Sequence, residues 1–181
     1  MSHTELKQLY HSLESASTLL LNSGLRIAVA ESCTGGLLGG ALTDVSGSSA
    51  YMLGGVIAYG DSVKMSLLSV PAELIREHGA VSEQCARATA RGVVSLLGSE
   101  IGVSITGISG PLGGSDAKPL GTTYVGLVAP DFEQVKHFAW KGDRAENRIR
   151  SVEAALCMVA EYLASRNNDL LKTKEQAIRD E

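Results

Sequence analysis

The strongest constraint on the fold is the segment AESCTGG, residues 30–36, which directly follows a run of small apolar residues. The apolar run, residues 27–30, has the length and composition of a buried strand, and a helix is predicted after the segment. Ser32 therefore lies where a strand ends and a helix begins. In an open α/β sheet, ligands bind at this end of the strands, where a hydroxyl nucleophile would have oxyanion donors beside it. A helix cap with glycines in a tight turn fits the same residues.

Apolar periodicity predicts the order of helices and strands along the chain. Helices are predicted at residues 4–22, 34–44, 63–68, 71–78, 82–97 and 144–164, and strands at residues 26–30, 51–59, 101–106, 122–128 and 134–140. This order predicts an α/β fold, a three-layer α/β/α single domain with a mixed, mostly parallel sheet and flanking helices. In the second strand, Gly54 and Gly55 indicate a bulge or a close approach of another segment. We place the domain at residues 1–165 and expect residues 166–181 to form a polar C-terminal tail, either a frayed helix or a mobile segment.

The composition excludes several classes of function. The chain has 181 residues, enough for one substantial core, and its net charge of −4 without a long basic run argues against nucleic-acid or anionic-membrane partners. Its three cysteines are widely spaced, which argues against a zinc site or a disulfide framework and fits a reducing compartment. The sequence shows no signal-peptide core and no apolar span of about 18 residues. We therefore expect a cytoplasmic location, no membrane association, no metal and no cofactor.

A serine nucleophile needs a general base, and the sequence offers a lysine for this role. None of the four histidines lies in a glycine loop or at a clear strand end, so a Ser-His-Asp triad is not supported. Lys64 follows the second strand by one turn, and a lysine in a buried, electropositive site can act as a base. Tyr59, at the strand end, is placed to relay a proton between Ser32 and the leaving group. The alternative is that Lys64 is an ordinary solvated lysine and Tyr59 a strand-end aromatic.

Cys33 competes with Ser32 for the role of nucleophile, because a thiol at a helix N-terminus can be acidic. If the strand persists, the Cys33 side chain points away from that of Ser32, and we rank it second. Cys85 and Cys157 lie on predicted apolar helix faces and are expected in the core.

A glycine-rich loop, residues 107–118, and two arginines form a candidate anion site. The backbone of such a loop can wrap around an anion, and loops of this length within a domain are usually functional or disordered. Arg144 and Arg148 are one helical turn apart and share a face, so they suit phosphate binding, although a solvated helix start would look the same. Lys118 could add a positive charge.

Together these segments form a pattern that is far more specific than any one of them. In chain order they are AESCTGG at 30–36, Tyr59 with Lys64, GAVS at 79–82, TGISGP at 106–111 with Gly113 and Gly114, KPLGT at 118–122, and GDR at 142–144 with Arg148. The pattern resembles the C-terminal domain of the competence/damage-inducible protein CinA, over roughly residues 5 to 165.

The resemblance implies nicotinamide-nucleotide amidohydrolase activity, which converts nicotinamide mononucleotide to nicotinate mononucleotide and ammonia in pyridine-nucleotide recycling. It also implies a metal-free serine-type mechanism with Ser32, Tyr59 and Lys64 as catalytic residues. Backbone N–H groups around Thr34 and Gly35 are expected to stabilise the oxyanion. The residues expected to bind the nucleotide are Thr34, Gly35, Gly36, Thr106, Gly107, Gly110, Gly113, Gly114, Arg144 and Arg148. From the apolar content and the N-terminal helix we expect a homo-oligomer, with a dimer favoured.

Some positions depart from the family pattern. Ser109 stands where Ala is common, Asn147 where an aliphatic residue is common, and Gly60 and Asp61 where the family usually has Ser and Asn. A carboxylate directed at Lys64 would stabilise its ammonium form and repel a substrate phosphate. The alternative function is therefore a catalytically inactive paralogue that binds a nucleotide or acts only as an oligomeric binding protein. If Asp61 caps the helix instead, backbone N–H groups absorb its charge; we expect this arrangement and an active enzyme.

Overall fold

The computed structural model describes the backbone of residues 3–179 and the side chains of residues 7–169 and 172. The helices are α1 (His3–Ser23), α2 (Leu37–Thr43), α3 (Asp61–Leu68), α4 (Ala72–His78), α5 (Glu83–Leu97) and α6 (Arg144–Arg179), and the strands are β1 (Ile27–Glu31), β2 (Met52–Ile57), β3 (Ile101–Gly107), β4 (Thr122–Ala129) and β5 (Phe132–Ala139). The order of elements predicted from apolar periodicity is confirmed. No helix within the described residues is both long and apolar enough to cross a membrane.

The five strands form one mixed sheet in the order β2-β1-β3-β4-β5. Strand β1 pairs in parallel with β2 and with β3, whereas β3–β4 and β4–β5 are antiparallel. Only β4 therefore runs against the direction of the other four strands. The predicted mixed sheet is confirmed, and β4 and β5 form a hairpin across Pro130 and Asp131. Since β2, β1 and β3 are parallel, their carboxyl ends lie at one edge of the sheet.

Strand β1 is buried along its whole length and alternates between two cores. Ile27 and Val29 pack with residues of α1, α2 and α6 on one face of the sheet, whereas Ala28 and Ala30 pack with residues of α3 and α5 on the other. Complete burial of a Val, Leu or Ile side chain stabilises the fold by about 1.5–3 kcal/mol, so both helical layers are held by apolar contacts. The predicted three-layer α/β/α arrangement is confirmed.

The two glycines of β2 account for both of the features predicted there. The register shifts between the pairing of Ile27 with Met52 and that of Ala28 with Gly54, and this bulge leaves Leu53 unpaired. A Cβ on Gly55 would lie 2.8 Å from the carbonyl oxygen of Val29, so only glycine allows β2 to approach β1 this closely. The bulge and the close approach to β1 determine where the carboxyl end of β2 lies.

The main differences from the predicted helix boundaries are in α2, α3 and α6. Helix α3 begins at Asp61 rather than at residue 63. Helix α2 begins at Leu37 rather than at residue 34, because Gly35 and Gly36 adopt left-handed conformations with φ of 60° and 96° and form a turn of their own. The backbone of α6 continues as a helix to Arg179, past residue 164, where we expected the helix to end. The domain boundary at residue 165 stays a prediction.

Candidate active site

A pocket of about 250 Å³ lies where β1 and β3 end. Ser32 follows β1 directly, Thr106 and Gly107 close β3, and the pocket brings them together with residues that follow β2. Of the residues predicted for the site, the lining contains Ser32, Tyr59, Lys64, Thr106, Gly107, Gly110, Gly113 and Arg144. All three predicted catalytic residues therefore face one cavity.

The other predicted binding residues, Thr34, Gly35, Gly36, Gly114 and Arg148, are not part of this lining. Thr34 is fully buried, and its hydroxyl has no hydrogen-bond partner among the described residues. One guanidinium nitrogen of Arg148 donates to the carbonyl of Thr34 at 2.7 Å. Arg148 thus contacts the turn after β1 and is not among the residues that line the pocket.

Lys64 is buried, with only 2% of its side chain exposed, and lies between two acceptors. Its Nζ donates to the carbonyl of Tyr59 and to Oδ1 of Asp61, each at 3.3 Å. The capping role expected for Asp61 is wrong: α3 begins at Asp61 itself, and Gly60, which has no side chain, occupies the cap position. Since Asp61 and Lys64 are three residues apart in one helix, they share a face and form an ion pair.

The turn after β1 holds most of its own N–H groups in hydrogen bonds. The N–H of Gly35 bonds to the carbonyl of Ser32 at 3.1 Å, and that of Gly36 bonds to the carboxylate of Glu31 at 3.1 Å. The expectation that Gly35 supplies an oxyanion donor is therefore not met in this conformation. Within residues 3–179 the N–H groups of Cys33 and Thr34 make no hydrogen bond to another residue, so they are the donors that remain next to Ser32.

Cys33 also lines the pocket, but its thiol is a weak candidate for the nucleophile. Burial raises the pKa of Cys33, and the neighbouring Ser109 hydroxyl and the charges of Arg144 and Arg148 lower it by less. A raised pKa keeps the sulfur protonated near neutral pH, whereas the thiolate is the reactive form. The structure therefore favours Ser32 over Cys33.

The glycine-rich loop is fastened to α6 at its start and to α4 further along. Arg144 donates to the carbonyl of Gly110 at 2.8 Å, and the buried amide of Asn147 donates to the carbonyl of Ser109 at 3.1 Å. Lys118 donates to the carbonyl of His78 at 2.7 Å and does not line the pocket, so it adds no charge there. In the sequence Asn147 is only a departure from a family pattern, and no local signal indicates that its amide binds the loop.

The fold and the pocket together define an α/β domain with a serine and a buried lysine at the carboxyl edge of its parallel strands. The chain matches the CinA C-terminal domain over residues 10–163, and it belongs to that family. It is 47% identical over 150 residues to a CinA-like protein of Citrifermentans bemidjiense, covering 82% of this chain and 36% of that protein. It is 50% identical over 143 residues to a CinA-like protein of Chlorobaculum tepidum, covering 76% and 34%. The chain thus spans about a third of the length of these relatives.

Solved structures show the same fold. A CinA superfamily protein of Klebsiella pneumoniae superposes with a TM-score of 0.83 and 31% identity, covering 87% of this chain and 98% of that one. A competence/damage-inducible protein of Agrobacterium tumefaciens superposes with a TM-score of 0.80 and 35% identity, covering 87% and 96%.

Proposed function

We propose that this protein is a cytoplasmic amidohydrolase that converts nicotinamide mononucleotide to nicotinate mononucleotide and ammonia. The observation that carries the proposal is the convergence of Ser32, Tyr59 and Lys64 on one pocket, with Lys64 almost completely buried. Membership of the CinA C-terminal domain family supports the proposal, since the resemblance to that family implies this activity.

In the proposed reaction, Oγ of Ser32 attacks the carboxamide carbon while Lys64 takes the hydroxyl proton. The carbonyl oxygen becomes an oxyanion, which the N–H groups of Cys33 and Thr34 stabilise. Tyr59 passes the proton from Lys64 to the amide nitrogen, and the C–N bond breaks. Ammonia departs, and the acyl group stays bound to Ser32 as an ester. Water then attacks the ester carbon, the C–O bond to Ser32 breaks, and the acid product and the free hydroxyl form.

Arg144 is the proposed ligand of the substrate phosphate. It lines the pocket, and its bond to Gly110 fixes one guanidinium nitrogen while the exposed side chain keeps further N–H donors. Arg148 donates to the carbonyl of Thr34, so we assign it to the turn and not to the phosphate. The glycine-rich loop beside Arg144 supplies backbone N–H groups, as anion-binding loops do.

The ion pair of Asp61 with Lys64 favours a second candidate function, a nucleotide-binding protein without catalysis. The carboxylate accepts a hydrogen bond from the Nζ of Lys64 at 3.3 Å, and this contact competes with the proposed role of Lys64 as the base for Ser32. Asp61 is half exposed, and solvent weakens the ion pair.

The test is to incubate the protein with nicotinamide mononucleotide and to quantify ammonia and nicotinate mononucleotide together. Equal, enzyme-dependent amounts of both products support the amidohydrolase. Calorimetric binding of the nucleotide without release of either product supports the inactive paralogue. Absence of both turnover and binding contradicts both candidates.

We further propose that the protein assembles as a homo-oligomer, with a dimer favoured. Strand β2 is an edge of the sheet, contains no charged residue, and exposes Leu53 and Ile57, whereas the opposite edge, β5, carries Glu133 and Lys136. An apolar edge strand without charges is a surface on which another chain can pair. Sedimentation at micromolar concentration tests this, and a monomer mass would contradict it.

A further inference from the structure

Glu31 is a buried acidic residue that the proposed mechanism does not use. It is the last residue of β1, directly before Ser32, and it is 1% exposed. Its neighbours on the two adjacent strands are Ile57 and Ile105, so it ends a strand in apolar surroundings. A polar or charged group in such a place is costly unless hydrogen bonds compensate for the lost water.

The compensation comes from the backbone at the start of α2. One carboxylate oxygen accepts the N–H groups of Gly36 and Leu38, each at 3.1 Å, and the other accepts that of Gly39 at 2.8 Å. These are N–H groups of a helix N-terminus, which have no partner within the helix and lie at its positive end. Glu31 thus reaches over the turn that contains Ser32 and joins the end of β1 to the start of α2.

This arrangement decides which N–H groups are open to the reaction. Glu31 occupies the donors at the start of α2, and the carbonyl of Ser32 occupies that of Gly35. The N–H groups of Cys33 and Thr34 remain, and the bond of Arg148 to the carbonyl of Thr34 holds that peptide from the opposite side. The turn is therefore held in place by the Glu31 carboxylate, which accepts from its N–H groups, and by the Arg148 guanidinium, which donates to the carbonyl of Thr34.

The structure assigns Glu31 the role of a positioning residue, which fixes the nucleophile turn and confines oxyanion binding to the N–H groups of Cys33 and Thr34. This inference rests on the proposed amidohydrolase function. The role needs a carboxylate, because three N–H donors require two oxygens that both accept. A glutamine would direct an N–H₂ donor at backbone N–H groups and would lose at least one of the bonds.

Two variants of Glu31 separate the effect of the carboxylate charge from the effect of the side-chain length. Glu31→Gln keeps the size of the side chain, and Glu31→Asp keeps the charge but withdraws it by one methylene. Glu83→Gln, at a position whose side chain is 56% exposed, is the matched control for loss of a carboxylate. For each protein, kcat and KM for nicotinamide mononucleotide and the affinity for nicotinate mononucleotide are measured. The affinity for pyridine-3-boronic acid is added, because its boron accepts a serine oxygen and forms a tetrahedral adduct.

Glu31→Gln is expected to lower kcat by about 10²-fold, as a small displacement of reacting groups does. KM and the affinity for the product should change by less than about threefold, because these report ground-state binding. The affinity for the boronic acid should fall in proportion to kcat. An unchanged kcat, or equal losses in kcat, KM and product affinity, would overturn the positioning role. Failure of both Glu31 variants to fold would also overturn it, because the carboxylate would then serve the whole fold.

A measurement on the wild type separates this inference from the proposed function. Amide hydrogen exchange followed by NMR should be slow at Gly36, Leu38 and Gly39 and faster at Cys33 and Thr34. Fast exchange at the three Glu31-bound amides would overturn the inference whether or not the protein is active. Absence of ammonia release with the exchange pattern intact would overturn the proposed function instead.

Discussion

The carboxylate of Asp61 lies 3.3 Å from the Nζ of Lys64, and this pair joins a half-exposed acid to a lysine that is only 2% exposed. The same Nζ donates to the carbonyl of Tyr59, the residue proposed to relay protons. Lys64 therefore has a defined place in the pocket, where two hydrogen bonds hold its Nζ. The proposed reaction needs the same Nζ for the proton of Ser32, so the contact with Asp61 competes with catalysis.

Asp61→Asn should increase ammonia release by about tenfold, because it removes the carboxylate that competes with Ser32 for the Nζ of Lys64. Comparison of kcat in the two proteins measures this. Asp116→Asn is the control, since Asp116 is an exposed acid of the glycine-rich loop outside the pocket lining. A gain of the same size in that control, or no gain in Asp61→Asn, contradicts the role given to the ion pair.

Arg144→Ala should raise KM for nicotinamide mononucleotide by about tenfold or more, because a charged hydrogen-bond donor to the phosphate is lost. Nicotinamide riboside, which has no phosphate, should be turned over with nearly unchanged kinetics. Arg148→Ala should instead lower kcat, since Arg148 holds the carbonyl of Thr34. Arg91→Ala, on the exposed surface of α5, is the control. Equal effects of Arg144→Ala on the two substrates would rule out the phosphate role.

Gly92→Ala and Gly40→Ala should change stability in opposite directions, although both place alanine within a helix. A Cβ on Gly92 would meet the carbonyl oxygen of Leu68, whereas one on Gly40 would have no neighbour within 4 Å. We expect Gly92→Ala to cost about 1–3 kcal/mol through overpacking and Gly40→Ala to gain up to about 1 kcal/mol. Urea unfolding measures both. Equal shifts in the two variants would show that α5 does not pack against α3 as closely as described.

The pair of Arg26 with Glu100 should make stability depend on acid pH. Hydrogen bonds from the side chain and backbone of Arg26 lower the pKa of Glu100 to about 2. A lowered folded-state pKa stabilises the protein above the unfolded pKa of an ordinary Glu, and this stabilisation disappears as the pH falls toward about 2. Glu100→Gln should lower Tm by about 1–3 °C at neutral pH, since the pair is partly exposed.

The difference in Tm between wild type and Glu100→Gln should become smaller in melts at successively lower pH. Glu161→Gln, which breaks a single contact with Lys136, serves as a control with little effect. A difference that stays constant down to the lowest pH would contradict the assigned pKa.

The order of elements was predictable because the signals were local. The apolar run before Ser32 and the glycines of β2 each act on a few neighbouring residues. The meeting of Ser32, Tyr59 and Lys64 followed from topology, because the carboxyl ends of neighbouring parallel strands lie at one edge. No local signal decided whether α3 begins at Asp61 or after it, and that choice turned the Asp61 carboxylate from a helix cap to a partner of Lys64.

The roles of Glu31 and Arg148 could not be read from the sequence, because both depend on contacts that the folded chain creates. Glu31 bonds to residues beyond the turn only because Gly35 and Gly36 are left-handed and bring α2 over it. Arg148 reaches Thr34 because α6 packs against the turn, across a separation of 114 residues. The spacing of Arg144 and Arg148 in the sequence places both on one helix face. Only the packing of α6 shows that Arg144 lines the pocket and that Arg148 contacts the turn.

The most direct test of the account is the yield of ammonia and nicotinate mononucleotide from nicotinamide mononucleotide, measured for the wild type, Ser32→Ala and Ser46→Ala. Ser46 is exposed in the loop after α2, so its variant controls for loss of a hydroxyl. We expect equal amounts of the two products from the wild type and from Ser46→Ala, and no turnover by a folded Ser32→Ala. Ammonia release by Ser32→Ala at the wild-type rate would contradict this expectation.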